Sequence, residues 1–136
     1  MKMYRVVLVL ALLLNAAFVQ AAGEPLKVIL HINDGYKITH LANSVQNIRK
    51  ELGKDVDIKV VVNGKAVTQL LKSNTENAKI VQSILKQNVP IVLCHSAVLN
   101  NRVDKNLLIE GLVVLKTDGN VAVLNYQRQG YIYIKM

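Results

Sequence analysis

The 136-residue chain has no tryptophan, one phenylalanine, two prolines and a single cysteine, Cys94. One thiol excludes an intramolecular disulfide, so the fold has to rest on its apolar core. The three histidines, His31, His40 and His95, are far apart, and with one cysteine they give no metal-ligand spacing, so no metal site is expected. Asn33-Asp34-Gly35-Tyr36 lacks the glycines of a phosphate-cradling loop. No cofactor is expected either, and no pair of carboxylates stands at a spacing that suggests acid–base hydrolysis. Acidic residues are scarce, 9 against 17 Lys and Arg, for a net charge of +8. The basic residues are nonetheless scattered: no run exceeds Arg49-Lys50, and aromatics alternate with them only between Tyr126 and Lys135. Nucleic-acid binding needs a concentrated stripe or a stacking platform, and neither is present. A mildly positive surface that attracts small anions or envelope lipids is the plainer reading.

Long hydrophobic runs are lacking too, except at the N-terminus. Lys2 and Arg5 precede an uncharged stretch from Val6 to Phe18, and Val19-Gln20-Ala21 supplies small residues of the kind a signal peptidase reads. The apolar stretch is shorter than the roughly 20 residues of a spanning helix. Residues 1–21 therefore read as a signal peptide cut after Ala21, which implies an exported, periplasmic protein. An uncleaved N-terminal anchor is the alternative, and contact with the membrane would then run through that segment alone. Residues 22–136 are one domain of ordinary size, with a net charge of +6 once two of the basic residues leave with the signal.

The rest of the chain alternates strand and helix patterns. Lys27–Asn33 is a strand candidate, and Ile38, Leu41, Ala42, Val45, Ile48 and Leu52 then recur at helical spacing up to Gly53, a natural helix stop. Asp57–Val62 is a second strand, ended by Asn63-Gly64. Val67, Leu70 and Leu71 make a short helical turn. Ser73-Asn74-Thr75-Glu76 has the form of a capping box before a helix through Ala78, Val81, Ile84 and Leu85, which Asn88 can close in a left-handed conformation. Val89–Leu93 is a third strand, with Pro90 tolerated near its start. Ala97–Asn101 is a short helix, Leu107–Ile109 a second helical piece, and Leu112–Leu115 a fourth strand. Val121–Tyr126 fits a strand or a helix capped by Asp118, and Tyr131–Ile134 is a further strand. Continuous apolar strands alternating with helices predict an α/β fold with a mostly parallel sheet covered on both faces.

In such sheets ligands bind beyond the carboxyl ends of the strands. That rule gathers Asn33 and Asp34, Asn63 and Gly64, Cys94, His95 and Ser96, and Lys116 and Thr117 onto one rim. Cys94 is the reactive member. A thiol at a strand-to-helix junction faces unpaired N–H groups, which favour the thiolate, and a thiolate attacks disulfides, persulfides and other sulfane sulfur. The competing reading is a small buried hydrophobe beside Leu93. His95 adjoins Cys94 in sequence but points elsewhere if the strand continues. His31 reads as a packed core residue, His40 as solvated, and Asp34 as a cap for the first helix or its loop.

Lys27–Asp34, Val60–Gly64, Val89–Cys94 and the ending Gln129–Lys135, in this order and spacing, resemble the DsrE/DsrF-like family over nearly all of residues 22–136. The resemblance implies a three-layer α/β/α sandwich of about five strands and favours the helix reading for Val121–Arg128. It implies a sulfur carrier or sulfurtransferase that holds a persulfide on Cys94, the one residue it carries over, while the rim supplies Asn33, Asp34, Asn63, Gly64, His95 and Ser96 as the candidates for lining the site. It also implies a homo-oligomer, a trimer or hexamer, and partners in the form of a sulfur donor and an acceptor thiol. The rival expectation is an oligomeric binding or scaffold protein in which Cys94 is inert.

Overall fold

The computed structural model describes residues 23–33 and 38–136. The expected signal segment and Asp34 lie outside the described residues. Five strands, β1 (Lys27–Ile32), β2 (Asp57–Val62), β3 (Ile91–Leu93), β4 (Val113–Val114) and β5 (Ile132–Lys135), form one sheet in the order β4-β3-β2-β1-β5. Every neighbouring pair is parallel. Four α-helices connect them among the described residues: α1 (Ile38–Leu52), α2 (Thr75–Leu85), α3 (His95–Asn100) and α4 (Gly119–Arg128). Two 3-10 turns also form: Gly64–Leu70, around the expected turn at Val67 and Leu70, and Lys105–Leu107, which ends where the helical piece Leu107–Ile109 was expected to begin.

Strand alternation divides the apolar side chains between two faces. Val28, Leu30, Ile32, Ile58, Val60, Val62, Ile91 and Leu93 join Ile38, Leu41 and Val45 of α1 and Val81 and Ile84 of α2 in the main core. Ile29, Val61 and Val92 face the other way and meet Val123 of α4 and Tyr131. Burying each such Leu, Ile or Val contributes about 1.5–3 kcal/mol, so the larger cluster carries most of the stability. The second face is thinly covered, by α4 and the turn into β5.

Residues with left-handed backbone end the helices as their sequence suggests. Gly53 (φ 95°) follows α1, and Asn88 (φ 57°) follows α2. The capping box does not form as expected. Asn74 is the N-cap of α2, and its side chain accepts from the Asn77 N–H at 3.1 Å. Asn74 is as good a cap as Ser73, and its oxygen reaches the third amide of the helix. The third strand starts later than expected, at Ile91. Pro90 stays outside it, though its carbonyl accepts from Val60 N–H at 3.0 Å. The ambiguous stretch after Asp118 is helical, and Asp118 caps it by accepting from the Asn120 N–H at 2.8 Å.

The turn from α4 into β5 is fastened at the end of the sheet away from the rim. The Tyr131 hydroxyl donates to Asp57, and Lys59 lies 5.1 Å from the Tyr131 ring centre and 5.7 Å from that of Tyr126. Burial acts to lower the Lys59 pKa, but the Tyr131 oxygen and the Asp57 carboxylate outweigh it and hold the ammonium above its ordinary range.

Candidate functional site

The rim at the carboxyl ends of β2 and β3 is where α4 begins. β3 ends at Leu93, and alternation turns the next side chain, Cys94, toward the face that α4 covers. The Cys94 N–H still pairs with the Val62 carbonyl at 2.9 Å, so the residue continues the ladder while also acting as N-cap of α3. Its side chain makes no capping bond to α3, which has only six residues.

The sulfur instead faces the first turn of a different helix. The Gly119 N–H, the first of α4, donates to Cys94 Sγ at 3.2 Å. The thiol in turn lies 3.6 Å from Asp118 Oδ2, the acceptor for its proton. Asp118 thus has two tasks: Oδ1 caps α4 through the Asn120 N–H, and Oδ2 faces the thiol. The first turn of a helix does face this sulfur, but the helix is α4 rather than α3.

Close packing fixes this geometry. A Cβ on Gly119 would overlap the Asn63 side-chain oxygen and come within 2.9 Å of Cys94 Cβ. Only glycine allows α4 to approach so near. Asn63 follows β2, is 8% exposed, and donates from Nδ2 to Asn120 Oδ1 at 3.3 Å. Its own Oδ1 is buried without a hydrogen-bond partner. An unpaired buried acceptor costs about 1–3 kcal/mol, so this atom is an open valence beside the sulfur.

Cys94 is not open at the rim: it is 4% exposed and packs with the main core, as the reading of a buried residue beside Leu93 has it. The cause is the first turn of α4, which folds back over it.

The other candidates are dispersed. Cys94 and Asn63 come together, joined by Asp118, Gly119 and Asn120. Gly64 (φ 58°) turns the chain into the first 3-10 segment, and its carbonyl accepts from Asn101 Nδ2 at 3.2 Å. His95 and Ser96 are half-buried in the first turn of α3. His95 Nδ1 is buried and unpartnered and makes no bond to Cys94. Asn33 follows β1, two strands from β3, and is not brought to the sulfur. Lys116 and Thr117 are exposed. Asp118, Gly119 and Asn120 were not among the expected site residues beyond the capping role of Asp118. Their signal was available, since they follow Lys116-Thr117 on the same rim. Among the described residues, no cluster of three or more His, Cys, Asp or Glu could hold a metal.

The model of the DsrE/DsrF-like family matches residues 13–136. A comparison with curated proteins found no match. Among solved structures, the protein of unknown function MTH1491 from Methanobacterium thermoautotrophicum is 25% identical, with a TM-score of 0.74, over 82% of this chain and 99% of that one. The ychN protein from E. coli is 16% identical, with a TM-score of 0.67, over 82% and 99%. BT1422 from Bacteroides thetaiotaomicron, a conserved protein of unknown function, is 18% identical, with a TM-score of 0.59, over 79% and 94%. The last two show the same fold.

Proposed function

Because the chain belongs to the DsrE/DsrF-like family, we propose that it is an exported sulfur carrier that holds sulfane sulfur as a persulfide on Cys94. The observation that carries this reading is the pairing of Cys94 Sγ with a helix-terminal N–H at 3.2 Å and a carboxylate oxygen at 3.6 Å. A structural cysteine needs neither.

The step is redox-neutral. The thiol proton passes to Asp118 Oδ2, so the pair keeps one negative charge in all. The thiolate attacks the outer sulfur of a donor R–S–SH, a new S–S bond forms at Cys94, and the donor's own S–S bond breaks. R–S⁻ leaves and takes the proton. An acceptor thiolate then attacks the terminal sulfur and releases Cys94. Gly119 N–H steadies charge on Cys94 before and after transfer, while the first turn of α4 is closed over it. Loading requires the first turn of α4 to lift, since that turn covers the sulfur.

Other features support the rest of the reading. The charged start and apolar run of residues 1–21 suit export to the periplasm. A homo-oligomer, a trimer or hexamer, suits the β5 edge, all four of whose residues are exposed, including Ile132 and Ile134. Mass spectrometry of the folded protein after incubation with a persulfide donor tests the central claim. A gain of one sulfur on Cys94 is expected. No gain, or equal labelling of Cys94→Ser, ends this reading.

The 4% exposure of Cys94 favours a second reading, an oligomeric scaffold with an inert cysteine. That reading expects alkylation of Cys94 only after denaturation.

A further inference from the structure

On the main-core side of the sheet, α2 and the loop before β4 enclose a groove of about 540 Å³. Lys72, Lys79 and Lys86 line it, and Glu110 is its one carboxylate. A second groove of about 610 Å³ adjoins it at Lys72, Ile109 and Glu110 and adds Lys105. We propose that the two form one docking channel for an acidic, extended stretch of another polypeptide.

The first observation is unbalanced charge. Four lysines stand against one carboxylate, and among the described residues none of the four forms an ion pair. Like charges gathered around a concavity focus a positive field that draws in an anion. The second is that the groove is built in advance. Gln82 Nε2 donates to the Glu110 carbonyl at 2.7 Å and ties the helix to the loop. Gly111 (φ 87°) brings the loop so close to α2 that a Cβ there would stand 2.9 Å from the Leu85 side chain. The loop is fastened in turn to the chain before α2: Lys72 N–H donates to the Leu107 carbonyl at 2.8 Å, and Ile109 N–H to the Leu70 carbonyl at 3.0 Å. Lys72 Nζ donates to the Asn106 carbonyl at 2.9 Å, which holds that ammonium in place and leaves two of its protons for a ligand. Binding therefore orders little that is not already ordered.

The layout of the charges points to the occupant. Lys79 and Lys86 stand two helical turns apart, about 10 Å at 1.5 Å per residue, and Lys105 extends the row into the second groove. A row of charges matches a chain of carboxylates, and an extended polypeptide covers the interval between Lys79 and Lys86 in about three residues. Ala78 and the methylene stems of the lysines give it apolar contact between the charges. A membrane plane would meet a flat or convex patch, whereas these lysines border a concavity with Glu110 in its wall. No aromatic residue lines either groove, so a nucleic-acid base has nothing to stack on. The chain has no suitable stretch of its own: residues 1–22 contain no acid, and Glu51, Asp55 and Asp57 have Lys54 among them. The occupant is therefore a different protein. The assignment stands apart from the sulfur reading and does not need Cys94.

Fluorescence anisotropy tests this, with a labelled heptapeptide of alternating glutamate and alanine titrated with the full chain. A saturable rise is expected, and the same peptide with glutamine for glutamate should bind at least about 10-fold more weakly. Lys79→Glu combined with Lys86→Glu, both at exposed positions, should weaken the acidic peptide by about 10-fold or more, because each change turns an attraction into a repulsion. Lys116→Glu combined with Arg128→Glu, equally exposed beside α4, changes the net charge as much and should leave binding within about 2-fold, since charges on the far side are screened. No saturable rise, equal binding of the glutamine peptide, or equal losses in the two double variants would each overturn the proposal. Phosphatidylglycerol vesicles are the remaining arm. Vesicle binding that the Lys79 and Lys86 reversals abolish, with no peptide binding, would give the groove to a membrane and overturn the proposal as well.

Discussion

Gly119 and Cys94 meet across 3.2 Å, a backbone N–H of one helix on the sulfur that starts another. Glycine is required there because a methyl group would collide with the Asn63 amide oxygen. Gly119→Ala should therefore destabilise the fold by about 1–3 kcal/mol, the usual cost of overpacking. It should also raise the alkylation rate of native Cys94, because α4 must move off the sulfur. Urea unfolding and thiol labelling check the two effects. An unchanged labelling rate would mean that the first turn of α4 is not what shields Cys94.

Asp118 joins helix capping to thiol chemistry, and one substitution separates them. Asn caps as well as Asp does, so Asp118→Asn should leave stability within about 0.5 kcal/mol of the parent. It removes the carboxylate that accepts the proton, and persulfide loading of Cys94 should slow by about 10²-fold, the scale of general base catalysis. Time-resolved mass spectrometry measures this. Equal loading rates would leave Asp118 as a cap and nothing more.

The lowered pKa of His31 makes stability depend on acid. Burial and Lys135 push it below 6.5, so the unfolded chain binds a proton that the folded chain refuses between the folded value and 6.5. The stability contributed by neutral His31 is complete above pH 6.5 and is lost as the pH falls through that window. Urea midpoints measured from about pH 7.5 down to about pH 5 should fall more steeply for the parent than for His31→Phe. Parallel curves would show that His31 does not titrate differently on folding.

At the β5 edge, Ile132 and Ile134 are 53% and 38% exposed, and no described residue pairs with the outer side of the strand. Lysine at either position should cost little in the isolated domain, as exposed substitutions do. It should shift the proposed oligomer toward monomer, read by sedimentation or light scattering. If Ile134→Lys and the parent have the same mass in solution, the edge is not the contact between copies.

Much of this architecture is legible in the sequence because it is encoded locally. Apolar runs set the strands, the spacing from Ile38 to Leu52 sets α1, and Gly53 and Asn88 mark helix ends. The rim was legible through a general rule about parallel sheets. Its internal arrangement was not. Cys94 and Gly119 are 25 residues apart in the chain, and nothing in either segment says that the first turn of α4 folds back over the sulfur. For the same reason Val89–Cys94 reads equally well as a buried run and as a run ending in an open thiol. The shift of the α2 cap from Ser73 to Asn74 has a different origin: two competent caps stand side by side, and only the path of the backbone chooses between them.

The strand order has a consequence for how the protein is made. β1 is the first strand synthesised and β5 the fifth, yet they lie side by side, and His31 and Tyr133 touch across 102 residues of chain. Until β5 docks, β1 has one bare side and the His31 ring has no phenol to hold it. Such distant pairings form slowly and leave strand edges exposed meanwhile, so the sheet is closed last, by the end of the chain that meets its beginning.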